Sequence, residues 1–251
     1  MIDRYLHKMT DANSIEDAWN IHTEHMAEYD FDRLIYAYTR YGTGTSLGDL
    51  QDALILTNHD PAYVDVFIGD GMYSKGPMVA WATANTGACS WSLIRSQIAS
   101  GDVTPEMMEA MAMNQRHGVL AGYTISFHEV SLRAKGAIGL TAKRGMSQDD
   151  VDALWAERGS DIELANKVLH LKVVQLPHTT GQRRKLTARQ REVLEWVADG
   201  KTIQDTATIM GLNPATIEKH LRLARESLDV DTTAQAILKA SSQNQFFLIE
   251  R

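Results

Sequence analysis

The chain lacks the residues and segments that stabilise secreted and membrane-embedded proteins. Cys89 is its single cysteine, so no disulfide can form within the chain, which fits a reducing cytoplasm. No apolar run is long enough to span a bilayer. The N-terminal residues Met1–His7 lack the charged and apolar regions of a signal peptide. These absences predict a cytoplasmic protein with no membrane partner.

Positive charge is also scarce. The chain has 25 Lys and Arg against 32 Asp and Glu, which gives a net charge of −7. A DNA-binding protein is expected to carry a basic surface. The acidic excess lies mostly in the N-terminal portion, however, and the region after residue 186 is close to neutral. Because salt screens charges beyond about 10 Å, bases gathered on one face can still bind DNA, with modest non-specific affinity.

The length of 251 residues suits two domains of ordinary size. The segment 176–185 reads Leu-Pro-His-Thr-Thr-Gly-Gln-Arg-Arg-Lys, a composition typical of an exposed connector. We therefore predict a first domain over 1–175, a linker over 176–185 and a second domain over 186–251.

The second domain begins with short helices that have clear start and stop signals. The first begins at Thr187, where Gln190 completes a capping box, and it ends at Gly200. The second runs from Thr202 to Gly211. Two short helices joined by a tight turn are typical of a helix-turn-helix, whose second member enters the DNA major groove.

A third helix follows the cap Asn213 and Pro214, the residue pre-shaped for a first helical position. Its predicted inward residues are Ile217, Leu221, Ala224 and Leu228. Its predicted outward residues are Thr216, Lys219, His220, Arg222 and Arg225. Lys219, His220 and Arg222 are the candidates for reading base edges. Candidate phosphate contacts are Lys201, Thr202, Arg225 and the run Arg183-Arg184-Lys185. The alternative is an ordinary solvated helix face, which Glu218 on the same side favours.

Two segments carry a family resemblance: Leu-Thr-Ala-Arg-Gln-Arg-Glu-Val-Leu-Glu-Trp-Val-Ala-Asp-Gly-Lys-Thr from Leu186, and Ile-Glu-Lys-His-Leu-Arg from Ile217. Residues 183–240 resemble the C-terminal DNA-binding domain of the LuxR family. The resemblance implies a four-helix bundle whose last helix is Thr232–Ala240. Of three nearly fixed family positions, Leu194 and Gly200 match, whereas Gln190 replaces a glutamate and can still cap.

The first domain alternates between strand and helix patterns in an uneven order, which predicts an α+β fold. The predicted helices cover 14–29, 104–116, 147–156 and 160–175. The predicted strands cover 31–40, 53–57, 118–127 and 136–142. Four methionines on the second helix, Met107, Met108, Met111 and Met113, either line an adaptable cavity or fill the core.

Asn58–Phe67, Lys75–Val79 and Trp91 carry a second, looser resemblance. These segments are similar to the acyl-homoserine-lactone-binding domain of the same family, an α/β/α sandwich around an antiparallel sheet. Aligning from Trp91 assigns family positions to most of the candidate ligand contacts. These candidates are Tyr36, Tyr63, Phe67, Gly76, Pro77, Met78, Val79, Trp91, Gly122 and Ala142.

The polar anchors of that family are altered. Tyr63 replaces a tryptophan that donates to the lactone carbonyl, and Phe67 replaces a tyrosine that reaches the acyl carbonyl. Gly76 replaces the aspartate that accepts the ligand amide N–H, and Ala142 replaces a serine or threonine. Each lost hydrogen bond costs roughly 0.5–3 kcal/mol, so together they weaken lactone binding by about two or more powers of ten. The alternative is that another acid, such as Asp70, supplies the amide contact.

Catalysis has little support. Cys89, His117 and His128 show no nucleophile and base arrangement, and His22 and His25 are the one pair with suggestive metal-ligand spacing. We expect no enzyme activity, no metal and no cofactor beyond a small apolar signal molecule or an acyl-homoserine lactone.

The sequence therefore predicts a LuxR-type quorum-sensing transcriptional regulator. It is expected to act as a homodimer on partly palindromic double-stranded DNA, with dimer surfaces on the helices at 160–175 and 232–240. Its sensor domain binds acyl-homoserine lactone weakly, binds a different ligand, or binds none. The alternative is an interaction factor that heterodimerises with a lactone-responsive relative and tunes it.

Overall fold

The structure is a computed structural model that describes residues 2–40, 42, 52–129, 131, 133–178 and 185–246. The chain divides into two compact units, Met1–Val174 and Gln175–Arg251.

The first unit is an antiparallel sheet with helices on both faces. Its helices are α1 (Ile2–Asp11), α2 (Ile15–Ala27), α3 (Pro61–Val64), α4 (Pro77–Ala84), α5 (Ser92–Ser100), α6 (Pro105–Arg116) and α7 (Gln148–Gln175). Its strands are β1 (Phe31–Thr39), β2 (Leu54–Thr57), β3 (Gly87–Ser90), β4 (Gly122–Ser126) and β5 (Lys135–Ala142). A π-helical turn at Asp65–Gly69 and a 3-10 turn at Met72–Lys75 join α3 to α4.

The five strands are ordered β2-β1-β5-β4-β3, and every neighbouring pair is antiparallel. Ile35 pairs with Gly139, and Tyr36 pairs with Ile138. Because side chains alternate along a strand, each of these pairs lies on a different face of the sheet. This register decides which residues face the helices α1, α2 and α7 and which face α3–α6.

The face that carries Tyr36 is buried beneath α1, α2 and α7. Leu34, Tyr36, Ile138 and Leu140 are all fully buried on it. The Tyr36 hydroxyl is 2.9 Å from Nδ1 of His170 on α7. On the other face, Tyr63, Met72, Ala110, Met113 and Val119 form a second apolar cluster. The predicted α+β class, with a sheet between helix layers, is confirmed.

The two helices predicted at 147–156 and 160–175 are one continuous helix of 28 residues, Gln148–Gln175. The predicted break is wrong because Gly159 is buried inside the helix, where a Cβ would come within 2.6 Å of the Trp155 ring. The glycine therefore leaves room for Trp155 to stack on Tyr123, with ring centroids 3.9 Å apart. None of the helices within the described ranges is long and apolar enough to cross a membrane.

Other boundaries also differ from the prediction. The strand predicted at 118–127 begins only at Gly122, because Gly118 adopts a left-handed φ of 69° at the turn after α6. Helices α1, α4 and α5 and the edge strand β3 had no counterpart in the prediction. Helices α4 and α5 and strand β3 are short or lack a clear apolar period, whereas α1 buries Tyr5 and Met9 at helical spacing and was missed.

The described residues of the second unit form four helices, as the resemblance implied. They are α8 (Ala188–Ala198), α9 (Ile203–Met210), α10 (Pro214–Leu228) and α11 (Thr233–Ser242). Thr187 with Gln190, and Thr232 with Gln235, form reciprocal capping boxes at α8 and α11. The apolar sides of the four helices meet in one core that includes Leu194, Ile217 and Leu221.

The start of the predicted linker belongs to the second unit. The backbone N–H of His178 donates to Gln243 O at 3.0 Å, and Gln245 Nε2 donates to His178 O at 3.0 Å. Leu176 and His178 are both buried. The expectation of an exposed connector over the whole of 176–185 is therefore wrong for its first residues, and 179–184 lie outside the described residues.

Candidate functional site

The first unit contains a cavity of about 470 Å³ between the sheet and the α3–α6 layer, which we call the chamber. This volume falls within the range of about 300–1,000 Å³ that small-molecule sites occupy. Its floor is the sheet face opposite Tyr36 and includes Ile35, Ala37, Ala137, Gly139 and Thr141. Its helical side includes Tyr63, Phe67, Met78, Val79, Trp91, Met108 and Met111.

Tyr63 is fixed by an aromatic stack at the start of α3. The Asp60 side chain accepts from the backbone N–H of Ala62 and caps this helix. The Tyr63 ring stacks on the rings of His59 and Phe67, with centroid distances of 4.6 Å and 5.2 Å. Its hydroxyl donates to Asn114 Oδ1 at 3.1 Å, and burial raises its pKa. The hydroxyl that was expected to replace a ligand donor therefore already has a protein partner.

Trp91 lines the chamber, and Gly122 makes room for it. The indole Nε1 donates to Thr124 Oγ1 at 2.9 Å. A Cβ on Gly122 would lie 3.0 Å from the Trp91 ring and 2.1 Å from the carbonyl oxygen of Leu140. Gly122 is absent from the chamber lining, so its geometry supports positioning of the indole rather than ligand contact.

Gly76, Pro77, Met78 and Val79 all line the chamber, and their contact with a ligand stays a prediction. Gly76 caps α4 in an extended conformation and supplies no side-chain hydrogen bond. Asp70, the alternative source of a carboxylate, is exposed and is not part of the lining. Among the described residues that line the chamber, none is an aspartate or a glutamate.

His59 and Lys135 also reach the chamber, and sequence reasoning did not assign either of them. His59 Nε2 is 3.4 Å from Thr141 Oγ1, and burial lowers the pKa of His59 to about 4, so the imidazole is neutral at neutral pH. Lys135 Nζ donates to Asn85 O at 2.9 Å, and burial lowers its pKa as well. The period-2 pattern that places Ala137 and Gly139 on the floor also points to Lys135.

Besides Gly122, two further predicted contacts lie outside the chamber lining. Tyr36 does not line the chamber, because its side chain leaves the sheet on the α7 side and meets His170 there. Ala142 is buried outside the chamber, whereas its neighbour Thr141 lines it. Both differences arise from strand alternation, in which a shift by one residue moves a side chain to the other face.

The helical methionines divide between both predicted roles. Met108 and Met111 line the chamber, whereas Met113 is fully buried in the adjoining core. Within the described ranges, no three His, Cys, Asp or Glu side chains are grouped as metal ligands.

Helix α10 presents the candidate DNA-reading face of the second unit. Ile217, Leu221, Ala224 and Leu228 are buried, as predicted. Lys219 and Arg222 are exposed, whereas Thr216, His220 and Arg225 are half-buried. Arg222 forms an ion pair with Glu226 one turn later, and Arg225 Nη1 donates to Thr233 Oγ1 at 3.1 Å. Lys219 is therefore the base on this face with the fewest competing contacts.

Two of the candidate phosphate contacts, Lys201 and Thr202, have the Asp205 carboxylate as a neighbour. The Thr202 hydroxyl caps α9 by accepting from Asp205 N, and it also donates to the Asp205 carboxylate. The carboxylate lies beside Lys201, which is exposed. Lys185 is exposed, and Arg183 and Arg184 lie outside the described residues.

Two family models match the chain. The model of the autoinducer binding domain matches residues 14–173, and that of the bacterial regulatory proteins of the luxR family matches residues 184–240. The transcriptional activator CarR of Pectobacterium carotovorum is 21% identical, over 76% of this chain and 80% of its own length. The regulator RpaR of Rhodopseudomonas palustris is 24% identical over 81% and 79%. LuxR of Aliivibrio fischeri is 21% identical over 75% and 73%.

Solved structures share the fold. SdiA in complex with octanoyl-rac-glycerol superposes with a TM-score of 0.50 at 14% identity, covering 96% of this chain and 93% of SdiA. The N-acylhomoserine lactone dependent factor CepR2 of Burkholderia cenocepacia gives 0.51 at 13% identity, covering 68% and 94%. The matched proteins are transcriptional regulators rather than enzymes. The chain belongs to the LuxR family of quorum-sensing transcriptional regulators, with an autoinducer-binding domain followed by a LuxR-type helix-turn-helix domain.

Proposed function

We propose that this protein is a dimeric transcriptional regulator whose DNA binding responds to an apolar small molecule in the chamber. The observation that carries the proposal is a cavity of about 470 Å³ whose described lining contains no carboxylate. A ligand regulates only if it binds one state of the protein more tightly than another.

An acyl-homoserine lactone is expected to bind weakly. Its amide N–H needs an acceptor, and Gly76 offers no side chain at the family position. Phe67 has no hydroxyl, and the Tyr63 hydroxyl is bound to Asn114. The SdiA complex contains octanoyl-rac-glycerol, an ester that needs no acceptor for an amide N–H. An acyl chain with a head group other than a lactone amide therefore suits this lining better.

Direct reading of DNA is assigned to α10. Lys219 and Arg222 carry long donors on its exposed side, and such side chains bind phosphates or base edges. Dimer contacts are assigned to α7 and α11, which expose Leu171 and Leu238 to 59% and 67%. Dimerisation would raise DNA affinity because the second half-site is bound at a high effective concentration.

Selection from a random duplex library, followed by anisotropy titration of the enriched DNA, tests the DNA assignment. Lys219→Ala and Arg222→Ala are expected to weaken binding by roughly tenfold each. Arg189→Ala is the matched control, since Arg189 is an exposed base that pairs with Glu192 on α8. If wild type enriches no DNA, or if both substitutions leave affinity unchanged, the assignment fails.

Calorimetry on the full chain tests the ligand assignment. Octanoyl glycerol is expected to bind more tightly than N-octanoyl homoserine lactone. Ala37→Leu, which fills the chamber floor, is expected to abolish binding and remove any ligand effect on DNA affinity. Ala80→Leu adds the same volume to an exposed position of α4 and serves as the control. Tight stoichiometric binding of the lactone would contradict the proposal.

A further inference from the structure

We propose that Lys135 is a head-group site at one end of the chamber and that it selects a ligand with a carboxylate on an apolar chain. This inference rests on the proposed function, because it assumes that a small molecule occupies the chamber. It adds the chemical class of that molecule and the residue that recognises it.

The chamber has an elongated floor with polar groups at its two ends. Lys135, Ala137, Gly139 and Thr141 all line it from one face of β5. Lys135 and Thr141 are six residues apart, and a strand rises about 3.3 Å per residue, so these ends are separated by about 20 Å. The residues between them are small and apolar. This shape fits an extended chain with one polar end.

Lys135 is the one charged residue among the described lining residues, with His59 neutral. Glu129 influences the Lys135 ammonium electrostatically. The Glu129 carboxylate, however, is 2.9 Å from His170 Nε2. A Cβ on Gly136 would lie 3.0 Å from Oε1 of Glu129. Gly136 faces away from the chamber, because it alternates with Lys135 and Ala137. Glu129 and the chamber therefore lie on opposite faces of the sheet.

The Lys135 ammonium is held in place but retains donors. Within the described part of the chain, its hydrogen bond goes to Asn85 O, the carbonyl just after the C-terminal end of α4. The helix dipole favours a cation there. An ammonium carries three N–H donors, so two remain for a ligand. The orientation of the side chain is thus set before any ligand arrives.

A carboxylate suits this position better than a neutral carbonyl. Hydrogen bonds between an ammonium and a carboxylate are roughly twice as strong as neutral ones. Lys135 is half-buried, so its partial loss of hydration also favours a counter-charge beside it. At the other end, His59 and Thr141 present neutral groups 3.4 Å apart, which offer a charged head group no comparable anchor.

Calorimetric titration of the full chain with decanoate and with methyl decanoate tests the assignment, since the two share one chain and differ in head-group charge. Decanoate is expected to bind wild type roughly tenfold to a hundredfold more tightly than the ester. Lys135→Met is expected to remove this preference by weakening the acid while leaving the ester unchanged. Lys172→Met is the matched control, because Lys172 also donates to a backbone carbonyl, that of Thr10, and lies outside the chamber lining.

Equal binding of acid and ester to wild type overturns the inference, and so does a preference that survives in Lys135→Met. In either case the proposed function stands, because a ligand still occupies the chamber. Binding of neither compound also overturns the inference. The Ala37→Leu and octanoyl glycerol titrations then report independently on whether the chamber binds small molecules. Circular dichroism melting of each variant checks that it folds.

Discussion

Trp91, which lines the chamber, packs directly against Gly122. The Trp91 backbone N–H donates to Gly122 O at 3.1 Å, and the indole lies over the glycine. The glycine is required here for close approach, since its φ is not in the left-handed region. A side chain at position 122 has to displace either the indole or the β5 backbone.

Gly122→Ala is therefore expected to destabilise the first unit by roughly 1–3 kcal/mol, the usual cost of overpacking. Gly139→Ala is the matched control on the neighbouring strand, where a Cβ would meet only Ile35 Cγ2 at 3.3 Å and otherwise point into the chamber. Urea unfolding followed by circular dichroism measures both. Equal unfolding midpoints for the two variants would contradict the packing argument.

The buried His59 makes the stability of the first unit depend on pH. Burial lowers its pKa from 6.5 to about 4, so the unfolded chain binds a proton that the folded protein excludes. His59 therefore lowers the free energy of unfolding as the pH falls from about 6.5 to about 4. The total loss approaches roughly 3 kcal/mol, and above about pH 6.5 there is none. His22, whose pKa burial lowers to about 3, contributes with the same sign.

His59→Phe is expected to reduce the fall in unfolding free energy over that pH window and to leave the part due to His22. The phenyl ring keeps the stack on Tyr63. His117→Phe, which replaces a half-exposed imidazole against the same Tyr63 ring, is the control. Urea titrations across the window measure the slope, and a slope unchanged in His59→Phe would show that His59 is not the linked group.

At the scale of elements, the caps of the second unit explain why its first three helices were predicted from local patterns, whereas its last helix was implied by the family resemblance. Thr187, Thr202, Asn213 and Thr232 each accept a backbone N–H three residues later. These contacts are local, so neither their partners nor their spacing depends on distant residues. The single helix α7 is the opposite case. The predicted gap at 157–159 contains Gly159, whose place inside the helix is explained by the Trp155 ring that packs against it.

Asn213 sets the first turn of α10, and its Oδ1 accepts from both the backbone N–H and the hydroxyl of Thr216. Asn213→Ala is expected to destabilise the second unit by about 1 kcal/mol and to weaken DNA binding, because the turn that presents Thr216 frays. Asn213→Asp retains the cap and is the control. Thermal melts and anisotropy titrations give the two readouts, and unchanged melting in Asn213→Ala would refute the role of the cap.

At the scale of the whole molecule, the proposed dimer would form through exposed leucines. Leu164 and Leu171 lie on α7 and are 44% and 59% exposed, and Leu238 on α11 is 67% exposed. These positions lie within the two helical regions that the sequence assigned to the dimer. Large apolar side chains in water favour association when they form a shared patch.

Leu171→Glu and Leu238→Glu are expected to shift the protein toward the monomer and to reduce DNA affinity at least about tenfold, because both half-sites are no longer bound together. Neither position is buried, so unfolding free energies are expected to change little. Ile98→Glu, at a 51% exposed position on α5, is the control. Sedimentation velocity measures the dimer, and an unshifted dimer in both variants would exclude these surfaces.

The sequence alone determined the family, the sheet-and-helix class of the first unit and the first three helices of the second, because periodicity, caps and motif spacing are local. Its resemblance to the LuxR family implied the fourth helix. It also pointed to Tyr63, Phe67, Gly76 and Trp91 in the chamber. Only the tertiary structure decided that Tyr36 faces α7, that Gly122 serves the indole, and that His59 and Lys135 reach the chamber. These facts depend on strand register and on contacts between residues far apart in the chain. The local period-2 pattern groups Lys135 with Ala137 and Gly139, but it does not specify that this face of the sheet borders the chamber.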